Sequence, residues 1–250
     1  MEIKGNTILI TGGGSGIGRG LAEAFHAAGN KVIIAGRRKA ALAEVTAANP
    51  GMDSVTLDVE DAGVIKSFAA RLAKDYPALN VLLNNAGIMR PENVLDHSIA
   101  DAEAIVTTNL LGPIRLTAAL LPHFVKQKQA TIINVSSGLA FTPLAMTPTY
   151  CATKAAIHSY SQSLRHQLRD TSVRVIELAP PYVQTELMGE RQANDPNAMA
   201  LKDFIAESMS LFKSQPAAAE ILVERVKPLR NAECSGQFDV VFARLNQAPH

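Results

Sequence analysis

A chain of 250 residues with 47% hydrophobic residues and a net charge of +1 carries enough apolar side chain for one well-covered α/β core, and its composition excludes a disordered chain. Acidic and basic residues alternate without long blocks, which argues against a general nucleic-acid surface or an acidic tail. Cys151 and Cys234 are the only cysteines and show no metal-ligand spacing, and the six His residues form no HxxxH-type set, so no metal site is expected.

After Met1-Glu2-Ile3-Lys4 the chain enters a strand pattern without a charged-then-apolar leader. No apolar run is expected to be long enough to span a bilayer, because the stretch before Val125 is interrupted by Pro122. Reduced thiols and a cytoplasmic location are the expectation.

Thr7–Thr11 is a short apolar run ending in glycines, which predicts a buried strand entering a tight turn. Gly16 to Ala28 reads as a helix closed by Gly29-Asn30, and Lys31–Gly36 as a second buried strand. Lys39 to Ala48 is an Ala-rich helix, Val55–Asp58 a third strand, and Asp61 to Tyr76 a third helix ended by Pro77. Val81–Asn84 is the fourth strand. A long helix follows from roughly Ile99 to Val125, and Gly112-Pro113 inside it predicts a kink near Asn109. Thr131–Val135 is strand five, the helix opening at Tyr150 runs to about Arg169, and Val173–Leu178 is strand six. A looser segment is predicted from Tyr182 to Gln215, then a helix from Ala217 to about Lys227, then a last strand over Gln237–Phe242.

Strands and helices alternate, and the early strands are continuous apolar runs. That pattern predicts a single α/β domain: a doubly wound parallel sheet of about seven strands with helices on both faces.

Several chemistry-bearing residues then fall at the carboxyl ends of the strands, where open α/β sheets bind ligands. The first turn is Thr11-Gly12-Gly13-Gly14-Ser15-Gly16-Ile17-Gly18. Its glycines let the backbone approach a pyrophosphate, and the helix start behind it offers N–H groups to phosphate. Asp58 ends strand three, Asn84-Asn85-Ala86-Gly87 follows strand four, Ser136-Ser137 ends strand five, and Pro180-Pro181 follows strand six. Tyr150 and Lys154 lie one helical turn apart on one face. A nearby ammonium is expected to lower the phenol pKa, which would let Tyr150 pass a proton to or from a substrate oxygen. Taken singly, such residues are ordinary turn, cap and surface chemistry.

Together these motifs resemble the short-chain dehydrogenase/reductase family across essentially the whole length. The matching residues are Thr11-Gly12-x-x-x-Gly16-x-Gly18, Asp58, Asn84-Asn85-Ala86-Gly87, Asn109, Ser137 and Tyr150-x-x-x-Lys154. The resemblance implies a Rossmann fold and a catalytic tetrad of Asn109, Ser137, Tyr150 and Lys154. Ser137 rather than Ser136 is chosen because it stands thirteen residues before Tyr150, the family spacing. Ala179-Pro180-Pro181 departs from the family's usual Pro-Gly and looks like a subgroup named for an oxidoreductase encoded in lipoteichoic-acid operons. The implied reaction is hydride transfer between nicotinamide and a carbonyl or secondary alcohol, with Asn109 anchoring a water that refills the proton through Lys154. Implied cofactor contacts are Gly12, Gly14, Ser15, Gly16, Ile17 and Gly18 in the first turn; Arg37, Arg38, Asp58 and Val59 after strands two and three; Asn85, Ala86 and Gly87 after strand four; and Tyr150, Lys154, Pro180, Val183 and Thr185.

Cofactor choice can be read from residues. An NAD-reading fold usually ends strand two on Asp or Glu, but that position is Gly36, followed by Arg37-Arg38. Guanidinium suits a 2′-phosphate, and Ser15 adds a hydroxyl, so NADP(H) is expected over NAD(H). The substrate is expected to be a small, largely apolar carbonyl or alcohol. Phe141, Leu144 and Met146, with Leu187, Met188, Met199, Phe204, Ile205, Met209, Leu211 and Phe212, suit an apolar pocket with a mobile cover over about 186–215. A reductase of 3-oxoacyl thioesters is the runner-up; Lys126, Lys128 and Arg169 could face an acidic acyl carrier, although a solvated helix-end surface is the stronger reading of them. A catalytically silent nucleotide-binding subunit and a purely structural role are readings from other classes. Ala118, Ala119, Ala155, Ala156, Ser159 and Ser163 permit close helix contact between subunits. With the resemblance they imply a homo-oligomer, a dimer or tetramer, with no nucleic-acid or membrane partner.

Overall fold

The uninterrupted apolar runs of the sequence become the strands of one sheet. The computed structural model describes residues 1–96 and 99–247. Its strands are β1 (Thr7–Thr11), β2 (Lys31–Gly36), β3 (Asp53–Thr56), β4 (Leu79–Asn84), β5 (Ala130–Val135), β6 (Val173–Leu178) and the two-residue β7 (Glu220–Ile221). They pair in the order β3-β2-β1-β4-β5-β6-β7, and every pairing is parallel. Parallel neighbours cannot be joined by a tight hairpin, so helices cross between them. The helices are α1 (Gly16–Ala27), α2 (Lys39–Ala48), α3 (Ala62–Asp75), α4 (Ala100–Val106), α5 (Gly112–Phe124), α6 (Pro148–Gln167), α7 (Glu190–Ala193) and α8 (Leu201–Ser214) between strands, with α9 (Lys227–Arg230) and α10 (Phe238–Gln247) after β7.

Side chains alternate along a strand, so the central strands each feed two cores. Ile8, Ile10, Val32 and Ile34 pack with Leu21 and Phe25 of α1 and with Phe204 and Phe212 of α8. Leu9, Ile33, Leu82 and Ile132 pack on the other face with Phe68 of α3, Leu116, Leu120 and Phe124 of α5, and Leu164 of α6. A strand buried on both faces has no polar alternate residues, which is why these runs are uniformly apolar. A buried polar chain crosses the second face. Asn84 donates to Asn134 Oδ1 (2.9 Å) and Thr117 Oγ1 (3.2 Å), and Asn134 donates to Ser161 Oγ (2.9 Å). It pins β4, β5, α5 and α6 at one level.

Four expectations are corrected. The seventh strand is not Gln237–Phe242, which lies almost wholly within helix α10. That helix is tied down by Asn246, whose Oδ1 accepts the Ala145 N–H (2.6 Å), and by Leu245, which packs beside Tyr150. The seventh strand is Glu220–Ile221, inside the span expected to be helical from Ala217 to Lys227. There the open edge of β6 supplies partners for the backbone, as when Glu177 N donates to Ala219 O (2.9 Å), and edge pairing wins over local helix propensity. The segment from Tyr182 to Gln215 contains α8, with Phe204, Ser208 and Phe212 buried at four-residue intervals and Phe212 against Phe25 (centroids 5.7 Å apart). Finally, β3 spans Asp53–Thr56, not Val55–Asp58, so Asp58 lies past the end of its ladder.

The long helix near Asn109 carries a π turn, Thr107–Leu111, between α4 and α5, where Gly112 N donates to Thr107 O. Pro113 has no N–H for the carbonyl of Asn109 four residues before it, so that carbonyl loses its α-helical donor. Pro122 does not interrupt this rod. Ala100–Phe124 is one helical run long and apolar enough to cross a membrane, contrary to the sequence expectation. Leu116, Leu120 and Phe124 nonetheless have no exposed surface, and α5 packs on α3, as in a core helix.

Gly18 sets how closely α1 approaches the sheet. A Cβ there would lie 2.3 Å from the Gly12 carbonyl oxygen and 2.4 Å from Asn85 Nδ2. Gly18→Ala is expected to cost about 1–3 kcal/mol through overpacking, read as a lower Tm. Gly36→Ala is the control, because a Cβ there meets only Leu42 Cδ2 at 3.7 Å, and its Tm should stay near the parent's.

Candidate active site

At the carboxyl ends of β1 and β4 the chain leaves the sheet in opposite directions, and the gap between them is closed by Thr11. Its Oγ1 accepts the N–H groups of Asn85 and Ala86 (3.0 Å each), and Asn85 Nδ2 donates back to Thr11 O (3.0 Å). Above this junction lies a cavity of about 460 Å³, within the range of small-molecule sites. Its floor is the glycine turn. Gly12 and Gly16 have φ of 69° and 53°, the left-handed region that favours glycine. A Cβ on Gly12 would meet Asn85 and Ala86 at 2.9–3.0 Å. The N-cap Ser15 makes no side-chain cap to α1, which leaves the first amides of that helix for an incoming anion. Shape, bare backbone and helix terminus therefore fit a dinucleotide pyrophosphate.

The same cavity is walled farther along by Ser136, Ser137, Tyr150 and Lys154. Helix α6 carries the last two one turn apart, with Pro148 in its first turn. Thr147 gives α6 no side-chain cap; Glu92 does so from a distant loop, accepting Thr149 N (3.0 Å) and Thr149 Oγ1 (2.6 Å). Burial pushes the Tyr150 phenol well above its ordinary range, and a hydrogen bond with Ser137 opposes the shift. The expected lowering by Lys154 is not seen in this state. Lys154 Nζ donates to Val135 O (2.8 Å) and lies 5.5 Å from the centre of the Tyr150 ring, so the phenol's loss of solvent dominates. Burial also pushes the Lys154 ammonium down to about 8, while the buried carboxylate of Glu177 pulls it up. Ser137 Oγ accepts Leu139 N (3.1 Å), whereas the buried Ser136 Oγ has no protein partner.

Asn109 lies behind the wall. Its Oδ1 accepts Ile88 N (2.8 Å), and its Nδ2 donates to Ile88 O (2.9 Å) and Thr153 Oγ1 (3.4 Å). The side chain thus braces the β4 loop against the residue before Lys154. Gly12, Gly14, Ser15, Gly16, Ile17, Arg37, Arg38, Val59, Asn85, Ala86, Gly87, Pro180, Val183 and Thr185 all border the cavity. Gly18 and Asp58 do not: Gly18 is buried under the turn, and Asp58 caps Glu60 N (3.0 Å). Arg38 donates to Ser15 Oγ (2.7 Å), and Arg37 pairs with Glu60 (2.8 Å).

Other expectations fail on position. Phe141, Leu144 and Met146 do not line the cavity; Leu144 and Met146 pack beside Tyr150 and Cys151, and Phe141 lies edge-on to His158 and under Arg230. Phe204 and Phe212 belong to the core, so of the anticipated cover only Glu186, Leu187 and Gln192 reach the cavity. Lys126, Lys128 and Arg169 precede β5 and β6, at the end of the sheet opposite the cavity, so they cannot guide a carrier to it. Sequence reasoning misses Glu60, Thr108, Arg90 and Gln192 on the wall. Only contacts between residues far apart in the chain reveal them. Among the described residues the ligand atoms of His158, Glu177 and Glu220 lie within 4.8 Å of one another, but Arg230 already pairs with Glu220 (2.9 Å).

A family model described as short chain dehydrogenase matches residues 6–196. The chain is 41% identical over 252 residues, 98% of each chain, to "Uncharacterized oxidoreductase DltE" of Bacillus subtilis (strain 168). Among solved structures it is similar to a short chain dehydrogenase from Burkholderia cenocepacia J2315 in complex with NADP, with TM-score 0.83, 27% identity and complete coverage of both chains. It is also similar to a 3-ketoacyl-(acyl-carrier-protein) reductase from Brucella melitensis complexed with NADH, with TM-score 0.78, 28% identity and coverage of 86% of this chain and 93% of that one.

The buried ammonium gives a direct test. Lys154 Nζ, followed by NMR in the ligand-free protein, should titrate near pH 8, charged below and neutral above. Glu177→Gln removes the opposing carboxylate, so the midpoint should fall further. A midpoint at the ordinary lysine value of about 10.4 would contradict the burial argument.

Proposed function

Because the chain belongs to the short-chain dehydrogenase family, matched over most of its length by the family model and over nearly all of it by the DltE relative, we propose a specific reaction and set of roles for its cavity. The chain is an NAD(P)-dependent oxidoreductase acting on CH–OH and C=O groups. The proposed reaction is interconversion of a small, largely apolar carbonyl compound and its secondary alcohol with NADP(H). The observation that carries it is the opening of Ser137, Tyr150 and Lys154 onto the same cavity as the glycine turn.

When bound, the nicotinamide cofactor supplies or accepts the hydride. The glycine turn and the start of α1 hold its pyrophosphate, and Arg37 and Arg38 face its 2′-phosphate. Ser137 and Tyr150 hydrogen-bond the substrate oxygen, where negative charge develops as hydride arrives. Tyr150 gives its proton to that oxygen in reduction and takes one back in oxidation. Its raised pKa suits the acid role, since the phenol enters the reduction protonated. Lys154 leaves Val135 O for the nicotinamide ribose, and its charge then draws the Tyr150 proton downhill. Asn109 acts at one remove: its side chain braces Thr153, and its carbonyl, without the α-helical donor that Pro113 lacks, takes the water that resupplies Lys154. Leu187, just before α7, and Gln192, within it, cover the substrate side.

One surface feature supports a homo-oligomer. Ala118 on α5 and Ala155, Ser159 and Ser163 on α6 are exposed, and small residues let helices of two copies approach closely.

A panel of carbonyls and alcohols assayed with both cofactors tests the reaction. Tyr150→Phe should lower kcat about a hundredfold or more with nucleotide Kd little changed; near-normal turnover would sink the assignment. Ser137→Ala should slow turnover more than Ser136→Ala, and the reverse order would move the role to Ser136. In a separate measurement, hydrogen exchange over 186–193 should slow when cofactor and substrate bind, while α8 stays protected throughout. Equal protection of both segments in both states would show the cover to be fixed.

A further inference from the structure

The adenosine end of the cavity holds an acid that none of the proposed roles uses. Glu60 lines the cavity together with Arg37 and Arg38, and its Oε1 accepts Arg37 Nη1 at 2.8 Å. Asp58 Oδ2 is a second carboxylate oxygen near the same nitrogen, at 3.9 Å. We propose that Glu60 is a specificity-determining residue, which limits the preference for NADP(H) by competing with the 2′-phosphate for the Arg37 guanidinium. The inference rests on the NADP(H) reading above.

Glu60 is fixed from behind. Its Oε1 also accepts Thr108 Oγ1 (2.8 Å), at the π turn beside Asn109, and its backbone carbonyl accepts Arg115 Nη1 from α5 (3.3 Å). Its N–H is held by Asp58 Oδ1 (3.0 Å). The carboxylate therefore cannot follow Arg37 if the guanidinium swings toward a phosphate. Arg38 is oriented differently, through Ser15 Oγ at 2.7 Å. Two guanidinium groups and the carboxylates of Glu60 and Asp58 sum to no net charge. A 2′-phosphate thus meets an Arg37 already paired with a carboxylate, and that guanidinium must exchange its partner for the phosphate. A ribose hydroxyl makes no such demand, so NADH binding is indifferent to Glu60.

Glu60→Gln keeps an acceptor for Thr108 and removes the charge. Isothermal titration with NADPH and NADH, in the parent, Glu60→Gln, Arg37→Gln and the double variant, separates the possibilities. NADPH should bind about fivefold more tightly to Glu60→Gln than to the parent, the scale of a half-exposed ion pair. The Kd for NADH should stay put, which also verifies the fold of the variant. In the Arg37→Gln background the Glu60 substitution should have no effect. An unchanged NADPH to NADH ratio in Glu60→Gln, or the same gain without Arg37, overturns the role of Glu60 while leaving the NADP(H) reading intact. A parent that binds NADH more tightly, with Arg37→Gln silent, overturns both.

Discussion

One threonine hydroxyl holds the two halves of the site together. Thr11 ends β1, its hydroxyl accepts the first two backbone N–H groups of the loop leaving β4, and the side-chain Nδ2 of Asn85 donates back to the Thr11 carbonyl. Strands β1 and β4 are neighbours whose following chain segments diverge, and a crevice opens where they part. Without this clasp the Asn85–Gly87 loop would have no fixed height above the glycine turn. The glycines answer the same constraint from below, since Gly12 and Gly18 have no room for a Cβ beside Asn85. Backbone geometry, more than side-chain charge, thus defines the cavity at this end.

At the other end charge matters more. Glu177 is almost fully buried on β6, beneath α6, and stands beside Glu220 across the β6–β7 pairing. Two adjacent carboxylates out of water are costly unless matched. His158 Nδ1 meets Glu177 at 2.7 Å and Arg230 grips Glu220 with two nitrogens, at 2.9 and 3.1 Å. Phe141 is wedged between His158 and Arg230. This cluster fastens α9 and the loop after Ser137 to the helix that carries Tyr150 and Lys154. Its remaining influence reaches Lys154 as the pull that partly offsets burial.

What could be read from sequence divides along physical lines. The central strands are legible because burial on both faces makes them continuous apolar runs. Tyr150 and Lys154 share a face because helical period is a local property. Where Lys154 points is not local: it bonds Val135 O, nineteen residues away, and burial of the phenol, not the ammonium, sets the direction of its shift. The C-terminal region misleads for a different reason. Gln237–Phe242 is rich in β-branched and aromatic residues, yet it lies almost wholly in helix α10, and Glu220–Ile221 takes the β6 edge instead. Helix α8 is written in the four-residue spacing of Phe204, Ser208 and Phe212, but the same apolar residues suit a substrate cover equally well. Glu60 carries no local signal at all. It matters through Arg37 and Thr108, twenty-three and forty-eight residues away.

The strand order also governs when the site can exist during synthesis. Strand β1 is made before both of its neighbours, and one of them, β4, is made only after β2 and β3. A nascent chain therefore exposes one flank of β1 until Leu79–Leu83 have emerged, and its glycine turn has no opposing loop until Ala86. The cavity wall then continues to Gln192, so synthesis must pass residue 192 before a nucleotide finds a complete seat. Ligand binding stabilises only what it can bind. Through most of its birth the chain must hold an open parallel edge without help from its cofactor, the interval in which aggregation and chaperone capture compete with folding.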